Sequence, residues 1–195
     1  MRVGEIKRKT GETEIKVKIN LDGEGKYKVK TDIPFLTHML ELFAKHGRFD
    51  IEVWAAGDVD VDHHHLIEDV GIVLGKAINN ALGDKRGINR YGNCSLPMDE
   101  ALVSVAIDLS GRSYFVYNGF PETAVLNGIE FDLWREFWKS FSFALKCNLH
   151  INLFYGLNLH HMAEGTFKAV ARSLRQAVSI NPDIAGDIPS TKGVI

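Results

Sequence analysis

Apolar and polar positions alternate strictly through Glu12–Leu21, with Ile15, Val17, Ile19 and Leu21 on one side and Glu14, Lys16, Lys18 and Asn20 on the other. Successive side chains of an extended chain point to opposite faces, so this stretch reads as a half-buried strand. Asp22-Gly-Glu-Gly25 supplies a turn, and Tyr27, Val29 and Thr31 continue the alternation in a return strand. The period then changes. Pro34 opens a run in which Phe35, Met39, Leu42 and Phe43 recur at helical spacing, and Gly47 ends it. Phe49, Ile51 and Val53 mark a second strand region, and Val59 and Val61 a further one. From His64 onward Ile67, Val70, Leu74, Ala77, Ile78 and Ala81 line one face of a helix that Gly83 closes. Leu102–Leu109 and Tyr114–Tyr117 read as paired strands around the turn Ser110-Gly-Arg112. A helix from about Leu133 to Leu145, a strand Leu149–Leu153 and a long helix from His160 towards Val178 complete the chain. No linker or low-complexity segment divides these elements. The predicted class is α/β, an α+β sandwich, in one compact unit spanning residues 1–195.

The two halves, about 1–90 and 91–195, echo one another. Phe43-Ala-Lys-His-Gly-Arg-Phe-Asp-Ile-Glu-Val53 precedes Asp62-His-His-His-Leu-Ile-Glu-Asp69. In the second half Phe143-Ala-Leu-Lys-Cys-Asn-Leu-His-Ile-Asn-Leu153 precedes Asn158-Leu-His-His-Met-Ala-Glu-Gly165. Each runs helix, strand, loop, then His-His-x-x-Glu opening an apolar-faced helix. Two duplicated lobes follow, each a sheet packed by helices. Aligning the helices sets His38 opposite Glu136.

Composition narrows the function classes. The chain has 195 residues, 45% hydrophobic and 25% charged, enough for one sizeable folded core. With 23 Lys+Arg against 25 Asp+Glu, its formal charge of −2 argues against a general nucleic-acid binder. No apolar run has membrane-spanning length, and the charged start Met1–Lys9 lacks the apolar stretch of a secretory signal. A cytoplasmic protein is expected. Cys94 and Cys147 are too far apart for a metal clip and read as reduced and buried.

Histidine placement is more informative. All eight fall in two windows: His38, His46, His63, His64 and His65, then His150, His160 and His161. On a helix, His64 and Glu68 stand four apart and His65 and Glu68 three apart, so either pair can converge on one ion. Neighbouring residues lie about 100° apart around the axis, so His64 and His65 do not share that ion. The same holds for His160, His161 and Glu164. One His-His pair at a helix start is commonly a surface or capping feature; two pairs with the same downstream Glu point to two metals. Imidazole with carboxylate and no thiolate suits Mn²⁺, Fe²⁺ or Zn²⁺, and an octahedral N/O site leans to Mn²⁺. The metalloprotease motif His-Glu-x-x-His is absent.

Taken together, Asp62-His-His-His-Leu-Ile-Glu-Asp69, Gly87-Ile-Asn-Arg-Tyr-Gly92, Asp108-Leu-Ser-Gly-Arg112, Leu159-His-His-Met-Ala-Glu-Gly-Thr-Phe-Lys168 and Pro189-Ser-Thr-Lys-Gly193 resemble the imidazoleglycerol-phosphate dehydratase family. The likeness runs from Lys9-Thr-Gly-Glu-Thr13 to the C terminus. It implies dehydration of imidazole glycerol phosphate to imidazole acetol phosphate in histidine biosynthesis, a duplicated α/β fold, two Mn²⁺ per subunit and a 24-subunit shell with sites at subunit interfaces. By position it implies the ligands His38, His64, His65, Glu68, His160, His161 and Glu164. At the remaining ligand position, where the family as we know it carries histidine, this chain has Glu136, still a competent Mn²⁺ ligand.

The implied chemistry suits these groups. The departing hydroxyl is not β to a carbonyl, so the imidazole ring supplies the electron push, as a dinuclear-metal-bound imidazolate that passes through a diazafulvene-like intermediate. The resemblance sets Glu12 near the carbon-bound proton as base, with His46 a further proton carrier. Phosphate would fall to Arg90, Arg112, Ser190, Thr191 and Lys192, with Lys168 a weaker candidate; His38, His64, Glu68 and His160 would also touch substrate. Other features read plainly. Leu133–Trp138 is an amphipathic packing face and not a cofactor box, with a subunit contact as a further option, Lys26, Lys28 and Lys30 form the solvated side of a strand, His63 lies outside the repeated pair, and His150 belongs to the core or borders the site. The rivals are a non-enzymatic metal-storage shell, which needs no phosphate cradle or base, and a dinuclear phosphohydrolase, whose Asp-rich ligand set is missing.

Overall fold

In the computed structural model, which describes residues 1–184, 186–193 and 195, the alternation of the N-terminal region builds one mixed sheet. Strands β1 (Val3–Lys9), β2 (Thr13–Asn20), β3 (Tyr27–Thr31) and β4 (Asp50–Gly57) are ordered β1-β2-β4-β3. Ile15, Val17 and Ile19 face inward opposite Ala55, Val53 and Ile51. Helices α1 (Pro34–Gly47) and α2 (His63–Leu82) complete the lobe. The second lobe repeats the plan with β5 (Tyr91–Met98), β6 (Ala101–Asp108), β7 (Tyr114–Asn118), α3 (Leu133–Leu145), β10 (Asn148–Tyr155) and α4 (Leu159–Val178), in strand order β5-β6-β10-β7. A small ribbon, β8 (Val125–Leu126) and β9 (Ile129–Glu130), is inserted before α3.

The helices lie between the sheets. Helix α2 packs on β1 and β2, and α4 on β5 and β6, while each also meets a helix of the other lobe: α1 packs on α4 and α2 on α3. The shared core is aromatic, with Trp138 against Phe43, Phe141 and Phe167, and Phe43 against Phe141. Deleting one such buried ring costs about 3–5 kcal/mol. No helix among the described residues is long and apolar enough to cross a membrane.

Several expectations are corrected. The turn at Asp22–Gly25 does not make a hairpin: β4 lies between β2 and β3, and β3 runs parallel to it. The Asp50 side chain at the start of β4 accepts the backbone N–H groups of Glu24, Gly25 and Lys26, which ties the turn to the inserted strand. Likewise β10 separates β6 from β7. Val59 and Val61 lie in a turn, with Val61 N–H donating to the Asp58 carbonyl at 2.8 Å. Trp134 and Trp138 are buried in their own chain, as a packing face requires. Cys94 is half-buried, and only Cys147 is fully enclosed. His150 is outside the core, stacked on Tyr114 on the outer face of the second sheet. The matching of Phe43 with Phe143 is out of step: α1 and α3 both end in left-handed caps, Arg48 and Lys146, and equal counting back from these pairs Phe43 with Phe141 and His38 with Glu136.

Close helix-to-sheet approach rests on one glycine in each lobe. A Cβ on Gly4 would sit 2.0 Å from the Ala77 carbonyl oxygen, and one on Gly92 1.9 Å from that of Ser173. Gly92→Ala therefore forces α4 off its sheet and is expected to cost about 1–3 kcal/mol. Gly11→Ala, with nothing within 4 Å of its added carbon, is expected to stay within about 0.5 kcal/mol of the parent. Paired denaturant titrations check the contrast.

Candidate functional site

Each His-His-x-x-Glu segment starts a helix whose phase is set by the residue before it. Asp62 accepts the His64 N–H at 2.9 Å, and Asn158 the His160 N–H at 2.9 Å. These caps contribute about 1 kcal/mol each and fix which way the paired imidazoles point.

In the second lobe the first histidine meets its glutamate: His160 Nε2 lies 3.0 Å from Glu164 Oε2. Packing of α1 on α4 brings His38 Nε2 to 3.7 Å from the same oxygen. One ligand atom from each of His38, His160 and Glu164 lies within 4.8 Å of the other two, the one such cluster of His, Cys, Asp and Glu among the described residues. Phe35 packs edge-on against the His160 ring. Burial works to raise the Glu164 carboxyl, but Lys168 and then His160 outweigh it and hold the group below the usual range. Two imidazoles and a carboxylate, with no thiolate, form a donor set suited to Mn²⁺, Fe²⁺ or Zn²⁺.

The first-lobe counterpart is looser. His64 Nε2 is 3.7 Å from Glu68 Oε2, whose other oxygen accepts from Ser140 at 3.1 Å. Glu136 turns to Lys139 at 2.9 Å, so His64, Glu68 and Glu136 do not converge as the other trio does.

The second histidine of each pair faces elsewhere, as 100° of helical rotation requires. His65 Nδ1 is 3.1 Å from Asp58, and His161 Nδ1 is 2.6 Å from Glu100. These carboxylates raise the proton affinity of both rings, Asp58 ahead of Glu12 for His65 and Glu100 for His161. The His161 bond, followed by the Asn158 N–H, lowers Glu100 to about 2. A carboxylate on Nδ1 leaves Nε2 of each ring as the available ligand atom, with Asp99 3.6 Å from that of His161. His63, the first residue of α2, has no part in these pairs.

The family model for imidazoleglycerol-phosphate dehydratase matches residues 31–174. This chain belongs to that family. The imidazoleglycerol-phosphate dehydratase of Geobacter metallireducens is 50% identical over 192 residues, covering 98% of each chain. That of Clostridium kluyveri is 50% identical over 195 residues, covering both chains completely. The Staphylococcus aureus dehydratase crystal structure superposes with a TM-score of 0.82 at 32% identity, covering 92% of this chain and 99% of that one. The Pyrococcus furiosus enzyme, solved with (S)-C348, gives 0.83 at 34% identity over 97% and 100%.

The remaining family positions are spread over one chain. Glu12 is exposed at the turn before β2. His46, in the last turn of α1, lines a cavity of about 380 Å³ shared with Arg48, Arg172 and Arg175. Burial, then the charges of Lys168 and Arg172, favour its neutral ring. Lys168 is paired with Glu164. Arg112 is exposed, and its guanidinium has no ion-pair partner among the described residues. Ser190, Thr191 and Lys192 lie in the tail, where Ser190 Oγ accepts the Lys192 N–H.

Three of the five Arg90 N–H donors are engaged within the chain. Its Nε and Nη2 meet the Asp108 carboxylate at 2.7 and 3.1 Å, and Nη1 donates to the Pro189 carbonyl at 2.9 Å. The arginine thus clasps the tail just ahead of Ser190. Asp58, Glu100, Asp108 and Ser140 are the polar groups that sequence reasoning missed. Asp108 stands inside the Asp-Leu-Ser-Gly-Arg motif, and Glu100 precedes β6 as Glu12 precedes β2, so these two carried a signal. Arg90→Lys keeps the charge but loses the fork, removing bonds of about 1.5–3 kcal/mol. Amide exchange at Ser190 and Gly193 is expected to speed up at least about tenfold, read by hydrogen-exchange mass spectrometry.

Proposed function

We propose that this chain dehydrates imidazole glycerol phosphate to imidazole acetol phosphate, a carbon–oxygen lyase step of histidine biosynthesis in the cytoplasm. It acts as one catalytic unit, residues 1–195, made of two halves, about 1–90 and 91–195. The observation that carries the reading is the meeting of His38, His160 and Glu164 in a chain whose relatives bear the dehydratase name from end to end.

His38, His160 and Glu164 would hold one Mn²⁺ and His64, Glu68 and Glu136 a second, with Fe²⁺ or Zn²⁺ as alternatives. When bound, the metals supply Lewis-acid polarisation of the substrate's imidazole nitrogens. The Nε2 atoms of His65 and His161 lie outside the trios and suit the sites of neighbouring copies, in keeping with self-association into a 24-mer. His38, His64, Glu68 and His160 border the same imidazole.

The chain's own groups then divide the remaining work. Loss of water needs a base at the carbon-bound proton and a place for the departing hydroxyl. The Glu12 carboxylate has no hydrogen-bond partner among the described residues, which leaves both oxygens for that proton. His46, with its neutral ring favoured, is the second proton carrier. The phosphate falls to Arg90, Arg112, Ser190, Thr191 and Lys192, with Arg90 also holding the tail through the Pro189 carbonyl and Lys168 a weaker candidate. A metal-storage shell would use neither Glu12 nor these cations.

Chelator-stripped protein is expected to make no imidazole acetol phosphate, and restored Mn²⁺ to recover turnover. Glu12→Gln should bind Mn²⁺ as the parent does while kcat falls about 10²–10⁴-fold. Metal binding with no turnover under any metal would overturn the enzyme in favour of the storage shell.

A further inference from the structure

The two lobes orient their second histidines by different means. In the second lobe Glu100, the residue before β6, uses both oxygens. Oε2 meets His161 Nδ1 at 2.6 Å, while Oε1 accepts the backbone N–H groups of Leu157 at 3.1 Å and Asn158 at 2.7 Å. One carboxylate therefore anchors the capping segment of α4 and turns the histidine. It has no oxygen left over.

The matching residue before β2 is Glu12, and it does neither job. Asp58, just past the end of β4, does both. Its carboxylate meets His65 Nδ1 at 3.1 and 3.2 Å. Its carbonyl accepts the N–H groups of Val61 at 2.8 Å and of Asp62, the α2 cap, at 3.3 Å. Its own N–H donates to the Glu12 carbonyl at 3.1 Å. Asp58 thus bonds to the backbone of one functional residue and the ring of another. Counting back equally from the caps Asp62 and Asn158, its counterpart is Phe154, an exposed side chain with no acceptor. Where position 154 offers nothing, Glu100 must hold the ring; where Asp58 holds it, the other glutamate is released.

We infer that Asp58 is a positioning residue for the dehydration: by holding His65 and the Glu12 backbone, it keeps the Glu12 carboxylate free and aimed for proton transfer. The inference rests on the dehydratase reading with Glu12 as base. Without Asp58, His65 Nδ1 would present an unpaired donor, and Glu12, whose backbone carbonyl accepts the Asp58 N–H and whose charge acts on the same ring, is free to take it. Glu12 would then settle on it as Glu100 settles on His161, and the base would be lost to a structural role.

The test is a double-mutant cycle on the Mn²⁺-loaded, assembled protein, comparing Asp58→Ala, Glu12→Gln and the pair. Asp58→Ala is expected to lower kcat about 10–100-fold with KM within about threefold. The double variant should be no slower than Glu12→Gln alone, because a base already removed is not misplaced again. Asp58→Asn retains an acceptor and the side-chain shape. It should lose only about three- to tenfold and show the same lack of additivity, so the cycle holds even if the alanine variant does not fold. A merely structural Asp58 would lower the melting temperature and multiply with Glu12→Gln, and that outcome overturns the inference. Unchanged kcat in both Asp58 variants overturns it equally. A wild-type chain without turnover overturns the dehydratase reading and this inference with it; an active wild type with multiplying losses overturns this inference alone.

Discussion

Two hydrogen bonds of 2.9 Å, from His64 N–H to Asp62 and from His160 N–H to Asn158, decide where every other group of the site can go. A cap fixes the residue at which helical rotation begins. Moving that start by one position turns every following side chain about 100° around the axis. His160 and Glu164, four apart on one helix, would keep their mutual spacing but turn together away from His38, and the cluster would dissolve without any change of sequence within the helix. Propensity alone would not hold the start so firmly, because helix termini fray readily. Here the capping residue is itself anchored, Asp62 through the Asp58 carbonyl and Asn158 through Glu100.

Packing across the lobes supplies the rest. His38 comes from α1 of the first lobe, His160 and Glu164 from α4 of the second. They meet because α1 lies on α4, over an interior of Phe43, Trp138, Phe141 and Phe167 in which each ring contributes about 1.5–3 kcal/mol of burial. Folding the two lobes together and assembling the cluster are one event. The apolar interior also makes Glu164 costly to ionise, and the Lys168 ammonium offsets that cost from one turn along the same helix. A lysine that looks like a substrate contact is also part of the electrostatics that keep the glutamate charged.

Much of this is legible in the sequence. The alternation at Ile15, Val17 and Ile19, the helix ends at Gly47, Gly83 and Leu145, and the His-His-x-x-Glu pairs all follow from side-chain periodicity, which is a local property. Strand order was not, because it depends on which distant segment inserts between two neighbours. The turn at Asp22–Gly25 looks like a hairpin until Asp50 is seen to hold it beside β4. β1 was missed because its inward side carries Gly4, Ile6 and Arg8, only one of them a large apolar residue, while its outward side is mostly charged. The caps Asp62 and Asn158 sit in motifs that were read, but Asp58 and Glu100 act across the fold, and no spacing rule links residue 100 to residue 161. The chemistry-bearing types were visible, and the groups that aim them were not.

The lobes also differ in charge where their helices carry equivalent residues. Position 38 is a histidine and position 136 a glutamate, so the trio across α1 and α4 holds one carboxylate and the trio across α2 and α3 holds two. Carboxylates gathered at a metal site repel unless something neutralises them, and each trio has a lysine, both from the second lobe: Lys168 on Glu164, Lys139 on Glu136. The arrangements are not equivalent in effect. Lys168 steadies a glutamate that already faces its histidines, whereas Lys139 holds Glu136 apart from His64 and Glu68. A cation entering there would have to take Glu136 from a lysine, and would be repaid by a harder, oxygen-richer donor set than the first trio offers. On the proposed reading the two metals of one chain are therefore not interchangeable: the two-histidine trio is already assembled, while the oxygen-rich trio closes only as its metal arrives and is the more selective for Mn²⁺ over Zn²⁺.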